Sequence, residues 1–144
     1  MISKGNRPRA AWRDWSHASA AFQDPDLACL FVRPGNDRAN LTTREATQIE
    51  TVLWRIYKVH EELHYLHEQD MIDESVWQGF RQLLVIEAGY ESYRTWWYGY
   101  HRTFSPRFRE FMEEIMSTTS VNSEAYFLNM DCDTPVGEDY WRPY

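Results

Sequence analysis

The feature that most constrains this chain is a long amphipathic segment that follows a strong helix start signal. Thr42 and Glu45 stand three residues apart, which is the spacing of a helix capping box. Apolar residues then recur at intervals of four and three residues: Val52, Ile56, Val59, Leu63 and Leu66. Because an α-helix repeats every 3.6 residues, this spacing predicts a helix over 43–69 with one buried face.

Further helix signals lie on both sides of this segment, and strand signals are nearly absent. Asp24 before Pro25, Asp73, and Ser105 before Pro106 are typical helix start positions, and Gly89 marks a break between two helices. The chain of 144 residues is long enough for one hydrophobic core. We therefore expect an all-α fold, a compact antiparallel bundle of about five or six helices.

Charge is distributed unevenly and suggests three regions. A basic N-terminal helix or arm is expected over residues 1–23, the helical bundle over 24–116, and an acidic, aromatic-rich tail over 117–144. The basic side chains of the first region permit two interpretations, a solvated terminus or a peripheral contact with an anionic membrane surface. They are Lys4, Arg7, Arg9 and Arg13.

Composition narrows the possible functions and location. The net charge of −7 argues against general nucleic-acid binding, which needs clustered positive charge. No segment reaches the roughly 20 apolar residues of a membrane span, and the start "MISKGNRPRA" lacks the apolar core of a secretory signal. Cys29 and Cys132 belong to no C-x-x-C pair and read as reduced thiols. The expected location is the cytoplasm or the cytoplasmic face of the membrane.

The stretch "HEELH", residues 60–64, spells the H-E-x-x-H motif of zinc proteases. In that interpretation His60 and His64 are the metal ligands and Glu61 is the general base. A glycine that bends the helix in one protease class is replaced here by His67. A continuing helix would leave Asp70 about 15 Å along the axis from His60, which is too far for it to bind the same metal.

A second protease class takes its third ligand from a glutamate on a following helix, for which Glu87 and Glu91 are the candidates. Their spacing matches no established pattern. We therefore favour histidines that are partly buried beside a helix–helix seam, and we assign no catalytic residue. A zinc site at His60 and His64 stays open as the alternative, with no other cofactor expected.

Aromatic residues make up 16% of the chain and concentrate in two places. Trp96, Trp97 and Tyr100 belong to an aromatic run with helical spacing from Tyr90 to Phe104, and Tyr140 and Trp141 lie in the tail. A run of this kind either stacks a ligand or is buried in a core or interface, and we favour the second. These five residues are the predicted partner-binding residues: Trp96, Trp97, Tyr100, Tyr140 and Trp141.

From "DPDLACLFVRPG" to "YRTWWYGYHRTFSPRFREFMEEIM", residues 24–116, the chain resembles an uncharacterised group of bacterial all-helical proteins. That group commonly shows the patterns D-P-x-L-A, I/L-D-x-x-x-W, W-W and F-S-P-x-F in this order. The resemblance implies a helical domain with aromatic residues where His60 and His64 stand here, and the group brings no established activity or catalytic residues to carry over. Members often carry a membrane helix before this domain, so membrane association is a further expectation.

Three functions are consistent with these observations. The first is a non-enzymatic interaction module or accessory subunit, which binds a protein partner or a second copy of itself through aromatic surfaces. The second is a zinc-dependent hydrolase that uses His60, Glu61 and His64. The third is a peripheral subunit of a membrane protein complex.

Overall fold

The computed structural model describes Asp24, Asp26 and residues 41–121, and this part of the chain is all-helical. It contains no strand, which confirms the predicted fold class. The order is α1 (Thr43–Glu68), α2 (Glu74–Ala88), α3 (Glu91–Tyr100), a 3-10 helix (His101–Thr103) and α4 (Pro106–Thr118). The basic residues of 1–23 and most of the predicted tail lie outside the described residues.

Helix α1 begins and ends almost where the sequence predicts. The capping box is formed in both directions: the Glu45 amide donates to Thr42 Oγ1 at 3.3 Å, and the Thr42 amide donates to Glu45 Oε2 at 2.8 Å. At the other end Asp70 has φ 52°, a left-handed conformation that Asp tolerates better than most residues. The Met71 amide donates to Leu66 O at 2.9 Å, which completes a Schellman motif.

The other predicted helix starts are also confirmed. The Asp73 side chain accepts from the Ser75 amide at 2.9 Å, and Ser105 Oγ accepts from the Phe108 amide at 3.4 Å. Asp24 Oδ1 accepts from the amide of Asp26, which is helical, at 3.0 Å. These side chains satisfy amides that have no partner within the first turn of a helix.

Two hydrophobic cores hold the described helices together. The principal core contains Val52, Leu53, Ile56, Tyr57, Leu84, Ala88, Trp96, Trp97, Phe104, Phe108, Met112, Ile115 and Met116. The small core contains Val59, Leu63 and Trp77, with Ile72, Phe80 and Phe111 packed against it. Helix α1 supplies both cores, because its predicted apolar stripe is buried along its whole length.

The helices contact one another in a simple pattern. Helix α1 packs against α2 and α4, while α2 also packs against α3 and α4. Among the described residues, no helix combines the length and the apolar character that crossing a membrane requires.

Candidate functional site

The histidines of the H-E-x-x-H motif lie inside the protein. His60 is fully buried, and its ring centroid lies 5.9 Å from that of Tyr57 and 6.5 Å from that of Phe80. Burial lowers the pKa of His60 to about 4, because the charged imidazolium would lose its hydration. At neutral pH His60 is therefore a neutral aromatic side chain of the interior.

His64 and His67 line the edge of the small core. The His64 ring lies 4.5 Å from the Phe111 ring and 5.8 Å from the Trp77 ring, and burial lowers its pKa. His67 stacks on Trp77, with the two ring centroids 4.5 Å apart at an interplanar angle of 15°. Its Nε2 lies 2.9 Å from Glu74 Oε2 on the next helix. Both rings thus pack α1 against the elements that follow it.

Glu61, the proposed general base, connects α1 to the start of α4. Its Oε1 accepts a hydrogen bond from the Ser105 amide at 2.6 Å, and its Oε2 lies 2.8 Å from Lys58 Nζ. Partial burial acts to raise the pKa of Glu61, but the hydrogen bonds from Lys58 and Ser105 outweigh it and lower the pKa. This arrangement fixes the carboxylate as an ion, as part of a contact between two helices.

These positions give the zinc alternative little support. Within residues 41–121 and at Asp24 and Asp26, no three His, Cys, Asp or Glu side chains are grouped closely enough to hold a metal ion. Helix α1 continues through His67 to Glu68, and Asp70 lies in the turn beyond its end. His60 and His64 have packing roles, which is the arrangement that the sequence favours, although His60 is more deeply buried than expected.

The aromatic residues predicted to bind a partner are divided by the fold. Trp96 and Trp97 belong to the principal core, with exposed fractions of 3% and 0%, and their rings lie 5.0 and 5.7 Å from that of Tyr57. Both side chains therefore pack inside the protein in this conformation and are not exposed to a partner. Tyr140 and Trp141 lie outside the described residues.

Tyr100, by contrast, borders a surface with an exposed tryptophan, Trp54. The Tyr100 hydroxyl donates to Glu50 Oε2 at 2.8 Å. Trp54 is 40% exposed, yet its Nε1 donates to Thr103 Oγ1 at 3.2 Å, and Lys58 Nζ lies 5.6 Å from its ring centroid. We call these five residues, Glu50, Trp54, Lys58, Tyr100 and Thr103, the Trp54 surface.

Sequence reasoning missed Trp54, although a signal was present. It stands two residues after Val52 and so lies about 200° around the helix from the apolar stripe. A large aromatic side chain on the polar side of an amphipathic helix is unusual enough to be singled out. Its contact with Thr103, 49 residues further along the chain, has no local signal.

A buried acid, Glu87, lies at the C-terminal end of α2 beside the principal core. The residue is 8% exposed, and its Oε2 completes no hydrogen bond in the described structure. The same holds for the indole nitrogens of Trp96 and Trp97. Burial raises the pKa of Glu87 to about 8, and the Tyr57 hydroxyl offsets part of the rise.

Comparison with known proteins identifies no relative of this chain. No family model, curated protein or solved structure matches this chain. The resemblance to a bacterial helical group therefore stays a prediction, and the function has to be argued from the residues themselves.

Proposed function

We propose that this chain is a non-enzymatic helical interaction module or accessory subunit, which binds a protein partner or a second copy of itself. The observation that carries the proposal is the Trp54 surface, where a partly exposed tryptophan is held in one orientation by neighbouring polar groups. Tyr100, one of the residues singled out in the sequence, is part of the same surface.

A fixed aromatic side chain favours binding for two reasons. Burying a tryptophan at an interface removes a large apolar area from water, and Trp and Tyr are enriched among the residues that dominate binding energy. Ordering a side chain costs entropy at the moment of association. Because Thr103 and Lys58 already restrict Trp54, less of that cost remains when a partner arrives.

The polar groups around Trp54 give the surface the composition of a binding patch. Lys58 lies beside the indole and Glu50 accepts from Tyr100, so the Trp54 surface contains one charge of each sign. Lys58 Nζ also donates to the Thr103 carbonyl at 2.7 Å. An aromatic centre with a polar, hydrogen-bonding rim is typical of specific protein interfaces. The packing roles of His60 and His64 and the interhelical role of Glu61 support a module without catalysis.

Association and capture experiments test the proposal. The purified chain should show a mass that rises with concentration in analytical ultracentrifugation, or should capture a specific protein from native cells. Trp54→Ala should weaken this association, because it removes the indole and leaves the helix intact. A chain that stays monomeric at high concentration and captures nothing would rule the module out.

Val76→Ala provides a matched control. Val76 is 41% exposed, nearly the same fraction as Trp54, but it lies on α2. Association should survive this substitution, and equal losses in both variants would show that the Trp54 surface has no special role. Elemental analysis of protein purified without added metal separates the hydrolase alternative, which predicts near-stoichiometric zinc that His64→Ala removes.

A further inference from the structure

The carboxyl group of Glu87 lies where its charge has little compensation. Its Oε2 is buried without a hydrogen-bond partner in the described structure, and the ionisable groups that interact electrostatically with it are tyrosines, Tyr57 on α1 and Tyr93 on α3. Neither phenol carries a positive charge in any protonation state. His60 follows Tyr57 by one helical turn on α1 and is itself neutral at physiological pH.

The position of Glu87 within α2 adds to this effect. It is the second-last residue of the helix, where the last carbonyl groups concentrate partial negative charge. A carboxylate at this end of a helix is destabilised, whereas a neutral carboxylic acid is not.

The arginine in this corner of the fold does not neutralise Glu87. Arg94 Nε donates to the carbonyl of Ala88, the residue next to Glu87, at 2.6 Å, and Arg94 Nη2 donates to the carbonyl of Thr119. Arg94 therefore holds the end of α2 to the end of α4 through backbone carbonyls. Arg94 and Glu87 are close in sequence, but they form no ion pair in the described structure.

We propose that Glu87 makes the packing of α2 against α1 and α3 dependent on pH. The neutral acid is compatible with the buried corner, and its ionisation drives the C-terminal turn of α2 away from the principal core. Opening there would return to water a carboxylate whose Oε2 has no hydrogen-bond partner in the folded state. Burial supports this assignment, because it raises the pKa of Glu87 to about 8.

The test compares the unfolding equilibrium of three proteins in urea between pH 6.5 and pH 8.5. In the wild-type chain the unfolding constant should rise about tenfold per pH unit until Glu87 ionises in the folded state. Glu87→Gln keeps the shape of the side chain but cannot ionise, so this rise should disappear. Glu91→Gln is the matched control, because Glu91 is exposed in the first turn of α3, and it should follow the wild type. An unchanged pH dependence in Glu87→Gln would overturn the proposal.

A second measurement keeps the proposal testable if Glu87→Gln does not fold. The carboxyl carbon of Glu87 in the wild-type protein can be assigned by NMR and followed through a pH titration. Its midpoint should lie well above those of the exposed glutamates, and amide exchange in the last turn of α2 should accelerate through the same pH range. The mechanism would be contradicted if the titration midpoint of Glu87 coincided with those of the exposed glutamates. It would also be contradicted if Glu87 titrated without faster amide exchange at Ala88 and Gly89.

Discussion

The principal core and the small core use the same kinds of aromatic side chains, but they contain ionisable groups of opposite type. The principal core borders a buried acid, Glu87, whose charge acts on two tyrosines, Tyr57 and Tyr93. The small core borders two imidazoles, His64 and His67, and one of them reaches an exposed glutamate, Glu74, on the next helix. His60 lies between the two, in ring contact with Tyr57 of the first and Phe80 of the second.

The difference shows how the same burial has opposite consequences for acids and bases. Burial favours the neutral form, so it raises the pKa of Glu87 and lowers the pKa of His60 and His64. The two cores should therefore respond to pH in opposite directions. Helix α1 crosses both cores, which means that neither response is independent of the other.

The largest effect is expected from truncating a tryptophan in each core. Trp97→Ala should lower the free energy of unfolding by about 3–5 kcal/mol, because Trp97 is fully buried among Tyr57, Phe104 and Phe108. Trp77→Ala should cost less, since the small core has fewer buried members to lose contacts. Urea unfolding followed by circular dichroism measures both. Equal losses would contradict this ranking of the two cores.

The pH dependence of His60 gives the next largest effect. Its folded pKa of about 4 lies below the ordinary value of 6.5, so the stability linked to the neutral imidazole is present above pH 6.5 and is lost as pH falls toward 4. At 1.36 kcal/mol per pKa unit the loss is about 3 kcal/mol. For Glu87 the sign is reversed, because stability is present below its ordinary pKa and is lost as pH rises through about 8.

The contributions of these two groups should offset each other between about pH 4.5 and 6.5. His60→Phe keeps a ring in the interior and removes the imidazole, so its free energy of unfolding should fall steadily across this range as pH rises. Urea unfolding at half-unit steps of pH provides the measurement. A His60→Phe protein with the same pH dependence as the wild type would show that the buried imidazole makes no contribution in this range.

Glu61 should show a smaller effect, and it separates packing from catalysis. Glu61→Ala removes the acceptor for the Ser105 amide and the partner of Lys58, so the free energy of unfolding should fall by about 1–2 kcal/mol. Glu61→Gln keeps an acceptor oxygen and should cost less. Removing a general base from a catalytic site often leaves stability unchanged or improves it. A stabilised Glu61→Ala protein, measured by thermal unfolding, would therefore favour the hydrolase alternative.

Sequence reasoning succeeded where the signals are local. The capping box at Thr42, the start at Asp73 and the Ser105-Pro106 pair need only neighbouring residues, and the structure contains each of them. The helical spacing of the aromatic residues from Tyr90 to Phe104 does not reveal where the helix ends. Helix α3 ends at Tyr100, and a 3-10 turn stabilised by the His101 carbonyl brings Phe104 into the principal core.

The candidate sites were harder to predict because they depend on contacts between distant elements. The exposure of Trp54 is fixed by Thr103, and the carboxylate of Glu61 by Ser105, contacts that span 49 and 44 residues. The burial of Glu87 had a readable signal, since it extends the α2 pattern of Trp77, Phe80 and Leu84 at intervals of three and four residues. An acid in an apolar stripe is easily taken for a surface residue until the neighbouring helices are in place.

The smallest effect is expected at the edge of the small core, where His67 stacks on Trp77 and contacts Glu74. His67→Phe should preserve the stack, whereas His67→Ala should lose both contacts. Because Glu74 is fully exposed, water screens its interaction with the imidazole, and most of the loss in His67→Ala should come from the stack. His67→Phe should therefore be close to the wild type in thermal unfolding, with His67→Ala less stable. If the two variants are equally destabilised, the contact with Glu74 holds α2 to α1 at this edge, and the small core depends on charge as well as on aromatic packing.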